Sequence, residues 1–150
     1  MRKTRDRRLQ VLLLCYGVVL LYLLFLRRLP GRAFAGSVNL MPGRTLRTYV
    51  RAAWFGLQTH RPALLRYAAG NLAGNLALFF PAGLLLPARF PGLQRFWRFF
   101  GVLAGAIALV EALQWVTGLG ACDIDDWLIN LPSGLCGFAL WRRFFGKTRT

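Results

Sequence analysis

The sequence predicts an all-α polytopic membrane protein with about four transmembrane helices and one amphipathic helix in the membrane interface. Hydrophobic residues make up 56% of the 150-residue chain and charged residues only 17%, whereas soluble domains average about 45–50% and about 25%. Long apolar segments carry almost no charge, and the basic residues lie between them. We therefore expect a single membrane domain over residues 1–150.

The distribution of the basic residues argues against a nucleic-acid-binding protein, which a formal net charge of +15 would otherwise suggest. Of the 20 Lys and Arg residues, 18 are Arg, and almost all lie at 2–8, 27–66, 89–98 and 142–149. A nucleic-acid-binding domain instead distributes such residues over a surface that contacts phosphates. The expected partners are therefore membrane lipids and not nucleic acid.

Four segments have the length and apolar character of a membrane-spanning helix, which needs roughly 20 mostly apolar residues. The third contains one charge, Glu111, and the fourth begins with acids and contains Asn130 and Pro132. Pro81 predicts a kink or a local break in the second. The four segments are Leu9–Leu26, Asn71–Ala88, Phe99–Gly118 and Asp125–Trp141.

The first segment is expected to be a retained anchor helix with a cytoplasmic N-terminus. An Arg-rich start and an apolar stretch before Ala33-Phe34-Ala35 resemble a signal peptide. However, the apolar run exceeds the usual length of about 7–15 residues, and Arg27, Arg28 and Arg32 occupy a region that is uncharged in signal peptides. Twelve Lys and Arg residues on the N-terminal side against eight on the other favour cytoplasmic N- and C-termini.

An amphipathic helix is predicted over residues 45–58, between the first two segments. Its apolar residues recur at helical spacing, and arginines lie on the other side. Such a helix either lies in the membrane interface, with its arginines among lipid phosphates, or packs on the outer mouth of the bundle. The apolar residues are Leu46, Tyr49, Val50, Ala53, Trp54 and Leu57.

Polar residues of the last three segments fall at one end of the predicted bundle. Within each segment they are three or four residues apart, so they share a helix face. Because consecutive segments cross the membrane in opposite directions, all of them point to one extracytoplasmic pocket. They are Asn71 and Asn75, then Glu111 and Gln114, then Asp123, Asp126 and Asn130, followed on the same stripe by Gly134 and Gly137.

Glu111 is the most informative of these residues, since an ionised carboxylate at membrane depth costs at least about 2.5–3.5 kcal/mol. Its functional roles would be a proton acceptor and candidate catalytic base, a ligand for a cationic group, or a metal ligand beside Asp123 and Asp126. The structural alternative is a protonated Glu111 that is hydrogen-bonded between helices.

The acidic segment 123–126 is explained in part by helix capping. Asp123 and Asp126 have N-cap spacing, and acids at a helix N-terminus are stabilised by about 0.3–1 kcal/mol each. A third acid, Asp125, adds repulsion and needs a cation, an arginine or a basic ligand group nearby. We predict no cofactor, with a divalent cation at Asp123 and Asp126 as the alternative. No Walker loop, GxSxG, HExxH or dinucleotide motif is present, so the motifs do not decide whether the protein is an enzyme.

Five motifs occur in a fixed order over residues 38–140. They are Val38-Asn39-Leu40-Met41-Pro42, the stretch from Gly74 to Pro87, Glu111-Ala112-Leu113-Gln114, the stretch from Asp123 to Asn130, and Gly137. Together they resemble the VanZ-like family of bacterial integral membrane proteins. The resemblance implies a small polytopic helical envelope protein, in a family whose named member is linked to teicoplanin resistance. Before the acidic turn, where relatives tend to have an arginine, this chain has Gly120-Ala121-Cys122.

The leading functional hypothesis is that the pocket, covered by the helix at 45–58, engages a lipid-linked or amphiphilic envelope molecule such as a cell-wall precursor. One alternative is an intramembrane enzyme that acts on a lipid head group. The other is an assembly subunit whose polar residues only fix the register of the bundle. The predicted ligand contacts are Glu111, Gln114, Asp123, Asp126 and Asn130, supported by Asn39 and Asn75.

Overall fold

The computed structural model describes residues 2–26 and 38–146. The predicted features at Arg27, Arg28, Arg32 and 33–35 lie outside these residues. The elements, in chain order, are α1 (Arg2–Leu24), β1 (Val38–Asn39), α2 (Arg44–Gln58), α3 (Pro62–Arg89), a short 3₁₀ helix (Pro91–Gln94), α4 (Phe96–Val116), β2 (Cys122–Asp123) and α5 (Ile124–Phe145). The all-α fold class is confirmed.

The long helices α1, α3, α4 and α5 alternate in direction. Near the beginning of α4, the ring of Phe99 stacks on Phe138 near the end of α5, with centroids 4.6 Å apart. Near the end of α4, Gln114 donates a hydrogen bond to the carbonyl of Leu24 at the end of α1. α1 and α4 therefore end at the same side of the bundle, where α5 begins.

α4 has one buried face, which is apolar near the beginning of the helix and polar near its end. Phe99, Leu103 and Ile107 are buried in the apolar core. Glu111 and Gln114 continue the same stripe and are only 7% and 1% exposed. A spacing of three or four residues keeps all five on one side of the helix. The bundle therefore has an apolar core at one end and buried polar side chains at the other.

α3 and α5 run side by side in the same direction and touch through glycine backbones. A Cβ atom on Gly83 would overlap the carbonyl oxygen of Gly134 and would lie 2.5 Å from the amide nitrogen of Phe138. A Cβ atom on Gly137 would overlap the carbonyl oxygen of Phe80. Only residues without a side chain allow this approach, so these glycines set the distance between the two helices.

The predicted spans correspond to helices in the structure. Among the described residues, three helices are long and apolar enough to cross a membrane: Asp6–Leu24, Pro62–Arg89 and Phe96–Val116. The fourth predicted span forms α5, which is 22 residues long but carries two acids in its first turn and Arg142 and Arg143 in its last. α3 continues through Pro81 and Pro87, so there is no break at Pro81.

The helix predicted at 45–58 is confirmed as α2, and it packs on α3. The ring of Tyr49 contacts the ring of Tyr67 edge to face, with centroids 5.9 Å apart, and Gly56 is buried against the beginning of α3. The neighbouring apolar strip, which includes Val50, Trp54 and Leu57, is more than half exposed. α2 therefore contacts the bundle with one face and keeps an apolar strip uncovered beside it.

We expect Gly83→Ala to lower the free energy of unfolding by about 1–3 kcal/mol, the range for overpacking a close-packed interior, because the new methyl group must push α5 away. The matched control is Gly105→Ala in α4, where a Cβ atom would meet nothing within 4 Å. That change should be neutral or stabilising by up to about 1 kcal/mol. Unfolding of the purified proteins in detergent measures both, and equal stabilities would contradict the backbone contact.

Candidate functional site

A short parallel strand pair joins two distant segments at the polar end of the bundle. Val38 in β1 pairs with Cys122 in β2, and Asn39 pairs with Asp123. Each strand comes just before a helix, β1 before α2 and β2 before α5. The pairing therefore places the N-termini of α2 and α5 next to each other.

The Asp125 carboxylate caps α2 from the neighbouring segment. Gly43 occupies the N-cap position of α2, with φ of 80°, and has no side chain with which to cap it. Asp125 instead accepts hydrogen bonds from the backbone N–H groups of Gly43 (2.5 Å), Thr45 (2.6 Å) and Leu46 (3.2 Å). A helix N-terminus leaves such donors without an intrahelical partner and favours negative charge. The N-terminus of α2 thus stabilises a carboxylate that is only 1% exposed.

Asp123 connects three segments through its two carboxylate oxygens. Oδ1 accepts hydrogen bonds from Asn39 Nδ2 (2.8 Å) and from the backbone N–H of Asp125 (2.9 Å), which makes Asp123 the N-cap of α5. Oδ2 accepts a hydrogen bond from the Thr45 hydroxyl at 2.5 Å. Asp123 therefore holds β1, α2 and α5 together.

The two buried polar residues of α4, Glu111 and Gln114, bind the ends of neighbouring elements. Glu111 Oε2 accepts a hydrogen bond from the backbone N–H of Asp123 at 3.0 Å. Gln114 Nε2 donates to the carbonyl of Leu24 at 3.0 Å. Because the last turn of a helix leaves its carbonyl groups without intrahelical partners, this second bond also caps the C-terminal end of α1.

α3 and α5 meet beside these residues through polar side chains. Asn75 Nδ2 donates to Asp126 Oδ1 at 2.9 Å. One turn further along α5, Asn130 is 4% exposed, and its Oδ1 has no hydrogen-bond partner among residues 2–26 and 38–146. A buried acceptor left without a donor costs about 1–3 kcal/mol. Asn130 Oδ1 is therefore a buried acceptor that has no donor in the described part of the chain.

A cavity of about 660 Å³ opens beside these side chains, and all five helices contribute to its wall. Ligand pockets typically have volumes of about 300–1,000 Å³, so this cavity has room for a small ligand or for the head group of a larger one. Its polar wall consists of Asn71, Asn75, Glu111, Gln114, Asp123, Asp126 and Asn130, with Tyr49 and Tyr67.

Six of the seven predicted ligand contacts line this cavity, and the seventh, Asn39, holds Asp123. That they bind a ligand stays a prediction. The prediction did not include Asp125, which caps α2, or Thr45, which donates to Asp123. One signal was available: α2 begins without an acid in its first turn and without a side-chain cap, while the segment 123–126 contains one acid more than its own helix needs.

A divalent cation at Asp123 and Asp126, the predicted alternative to no cofactor, stays a prediction. No group of three or more His, Cys, Asp or Glu side chains suited to a metal ion occurs in the part of the chain that the structure describes. Asp123, one of the two candidate ligands, directs both of its oxygens to protein donors.

These features define a class of protein: an all-α membrane protein in which the acidic N-terminal turn of one helix caps a second helix and borders a polar cavity. Residues 13–145 match the VanZ/LLP1 family, and the matched range includes every residue described above at this end of the bundle. The chain belongs to this family, which confirms the predicted resemblance. Comparison with curated proteins and with solved structures gives no match.

We expect Asp125→Asn to lower the free energy of unfolding by roughly 2–4 kcal/mol, because charge-assisted hydrogen bonds and a helix cap are lost together. The new amide also presents N–H donors to the N–H groups of α2. The control is Asp6→Asn, the same change at an exposed residue of α1. The control should lose less than about 1 kcal/mol. Equal losses in thermal unfolding would contradict the capping role.

Cys122 gives a pH-dependent measure of the charges at this end of the bundle. Burial raises the pKa of its thiol, and the negative charges of Glu111 and Asp123 raise it further. In a Cys15→Ser, Cys136→Ser background, the alkylation rate should therefore rise with a midpoint above the ordinary value of about 8.5. Glu111→Gln removes one negative charge and should lower that midpoint. A midpoint at or below the ordinary value would refute this assignment.

Proposed function

We propose that this protein is a multi-pass protein of the bacterial cytoplasmic membrane whose cavity binds the polar head of a lipid-linked or amphiphilic envelope molecule. One observation carries the proposal: polar side chains of α3, α4 and α5 face one space of about 660 Å³. Asn130 Oδ1 is buried at its wall without a donor among the described residues. A ligand that brings an N–H or O–H group would complete this hydrogen bond.

In the proposed topology, α5 is the fourth span beside α1, α3 and α4. Acids are tolerated at membrane depth when they face the interior of a bundle and are paired there. The acidic first turn of α5 meets this requirement through α2 and Asn75. With cytoplasmic N- and C-termini, as the Lys and Arg distribution favours, the cavity opens on the extracytoplasmic side.

In the same proposal α2 covers the cavity and lies in the membrane interface. Tyr49 lines the cavity, while Val50, Trp54 and Leu57 form the uncovered apolar strip. Arg44, Arg47 and Arg51 are exposed on this helix. Exposed apolar and aromatic residues beside arginines are typical of helices at the boundary between acyl chains and phosphates. An amphiphile would therefore reach the cavity from the membrane surface.

A lipid-linked cell-wall precursor fits this description of the ligand. If the cavity sequestered this precursor, the amount of precursor that is accessible to glycopeptide antibiotics at the cell surface would change. The proposal therefore includes altered susceptibility to glycopeptides such as teicoplanin. Family membership supports this extension, and the cavity supplies its physical basis.

Asn130→Leu separates a binding role of Asn130 from a structural one. If its Oδ1 accepts a ligand donor, the apolar replacement should abolish co-purification of the amphiphile. Thermal stability should stay the same or rise, because an unpartnered buried acceptor that costs about 1–3 kcal/mol is removed. Cys136→Leu, an exposed position on the same helix, is the control and should retain the amphiphile. Mass spectrometry of lipids bound to each purified protein is the measurement, and full retention by Asn130→Leu would overturn the proposal.

A further inference from the structure

The cavity opens through one face of α3. Of the described residues in its wall, those outside α3 are buried or half-buried. The exposed ones all belong to α3 and lie between residues 67 and 74. Their spacings of three and four residues keep them on one side of the helix. These residues, which form the side opening, are Tyr67, Gly70, Asn71 and Gly74.

Two contacts lie at the ends of the side opening. Toward the beginning of α3, the ring of Tyr67 contacts the ring of Tyr49 in α2, with centroids 5.9 Å apart. Further along α3, the hydroxyl of Tyr16 in α1 donates to the carbonyl of Leu78 at 2.5 Å. About 16 Å of helix separates Tyr67 from Leu78, at a rise of about 1.5 Å per residue. The side opening therefore lies in the flank of the bundle, between the places where α2 and α1 contact α3.

Two glycines keep the side opening free of side chains. Glycine destabilises the interior of a helix relative to alanine, so its presence there needs a physical reason. At Gly83 the reason is close packing, because a Cβ atom would overlap the backbone of α5. At Gly70 and Gly74 a Cβ atom would meet nothing within 4 Å. These two glycines therefore leave free space at the mouth of the cavity and do not serve a helix contact.

The wall behind the side opening has a polar part and an apolar part. Asn130 belongs to the polar part; it is 4% exposed, and its Oδ1 has no donor among the described residues. The apolar part consists of Leu78 and Phe79 of α3 with Ile107 and Val110 of α4. An amphiphile has the same two parts, a polar head with N–H or O–H donors and an apolar chain.

We propose that a lipid of the outer leaflet enters the cavity sideways through the side opening, past Gly70 and Gly74. This inference rests on the proposed function and specifies the source of its ligand. The head donates a hydrogen bond to Asn130, the first carbons of the chain contact the apolar part of the wall, and the rest of the chain stays in the bilayer. The side opening belongs to a helix that is long and apolar enough to cross the membrane. It therefore faces lipid and not the surrounding water.

Gly74→Leu tests this inference, because the new side chain fills the side opening while its Cβ atom displaces no neighbour. The matched control is Gly105→Leu in α4, an exposed glycine outside the cavity whose Cβ would also meet nothing within 4 Å. Each delipidated protein is incubated with vesicles of the total lipid extract of the producing cells, and the bound lipid is measured by mass spectrometry. We expect at least about tenfold less bound lipid for Gly74→Leu than for the unchanged protein, and no loss for Gly105→Leu.

A spin label at the same position reports its surroundings and does not depend on the folding of Gly74→Leu. Gly74→Cys is prepared with the three native cysteines replaced by serine and is labelled with a nitroxide after folding. In proteoliposomes, oxygen, which concentrates in lipid, should relax this label more strongly than a water-soluble nickel chelate does. A label at Gly92→Cys, an exposed position between α3 and α4, should show the reverse order. The bulky label at position 74 should also lower the amount of bound lipid.

The outcomes distinguish this inference from the proposed function. Full lipid binding by Gly74→Leu, or a label at position 74 that the nickel chelate relaxes more strongly than oxygen, would overturn sideways entry. The proposed function would stand in that case if Asn130→Leu still lost its amphiphile. Retention of the amphiphile by both Gly74→Leu and Asn130→Leu would overturn both.

Discussion

The polar end of this bundle depends on one carboxylate, that of Asp125, at the N-terminus of α2. Three backbone N–H groups point at it, and the glycine at the N-cap position of that helix supplies no cap of its own. The interaction fixes where α2 begins and therefore where Tyr49 meets the cavity. It also satisfies a buried acid with backbone donors, which matters at a site where a free charge would be costly.

The same arrangement explains how several acids coexist within one turn. Asp123 faces amide, hydroxyl and backbone donors, Asp125 faces α2, and Asp126 faces Asn75. Each carboxylate thus accepts from a different set of donor groups. Backbone N–H groups, amides and a hydroxyl supply hydrogen bonds to all three acids. Asp123 and Asp126 are left bordering the cavity together with Glu111.

Much of this end of the molecule could be predicted because helical periodicity and alternating direction are local properties. Glu111 and Gln114 share a face, and Asn75 belongs to a helix of opposite direction, so their convergence follows from the positions of the spans. The role of Asp125 could not be predicted in this way. It depends on a parallel pairing between Asn39 and Asp123, 84 residues apart, which no local pattern encodes. The contact of Gly83 with α5 likewise depends on the relative rotation of two helices.

The strand pair also has a consequence for the order of events during synthesis. The hydrogen bonds that cap α2 connect residues 79 to 82 positions apart, and their acceptor lies near the beginning of α5. While a ribosome is still making α3 and α4, the first turn of α2 has only water or lipid head groups for its N–H donors. The first turn of α2 is therefore capped only after α5 has begun to form, and α5 completes the cavity after the other four helices have been made.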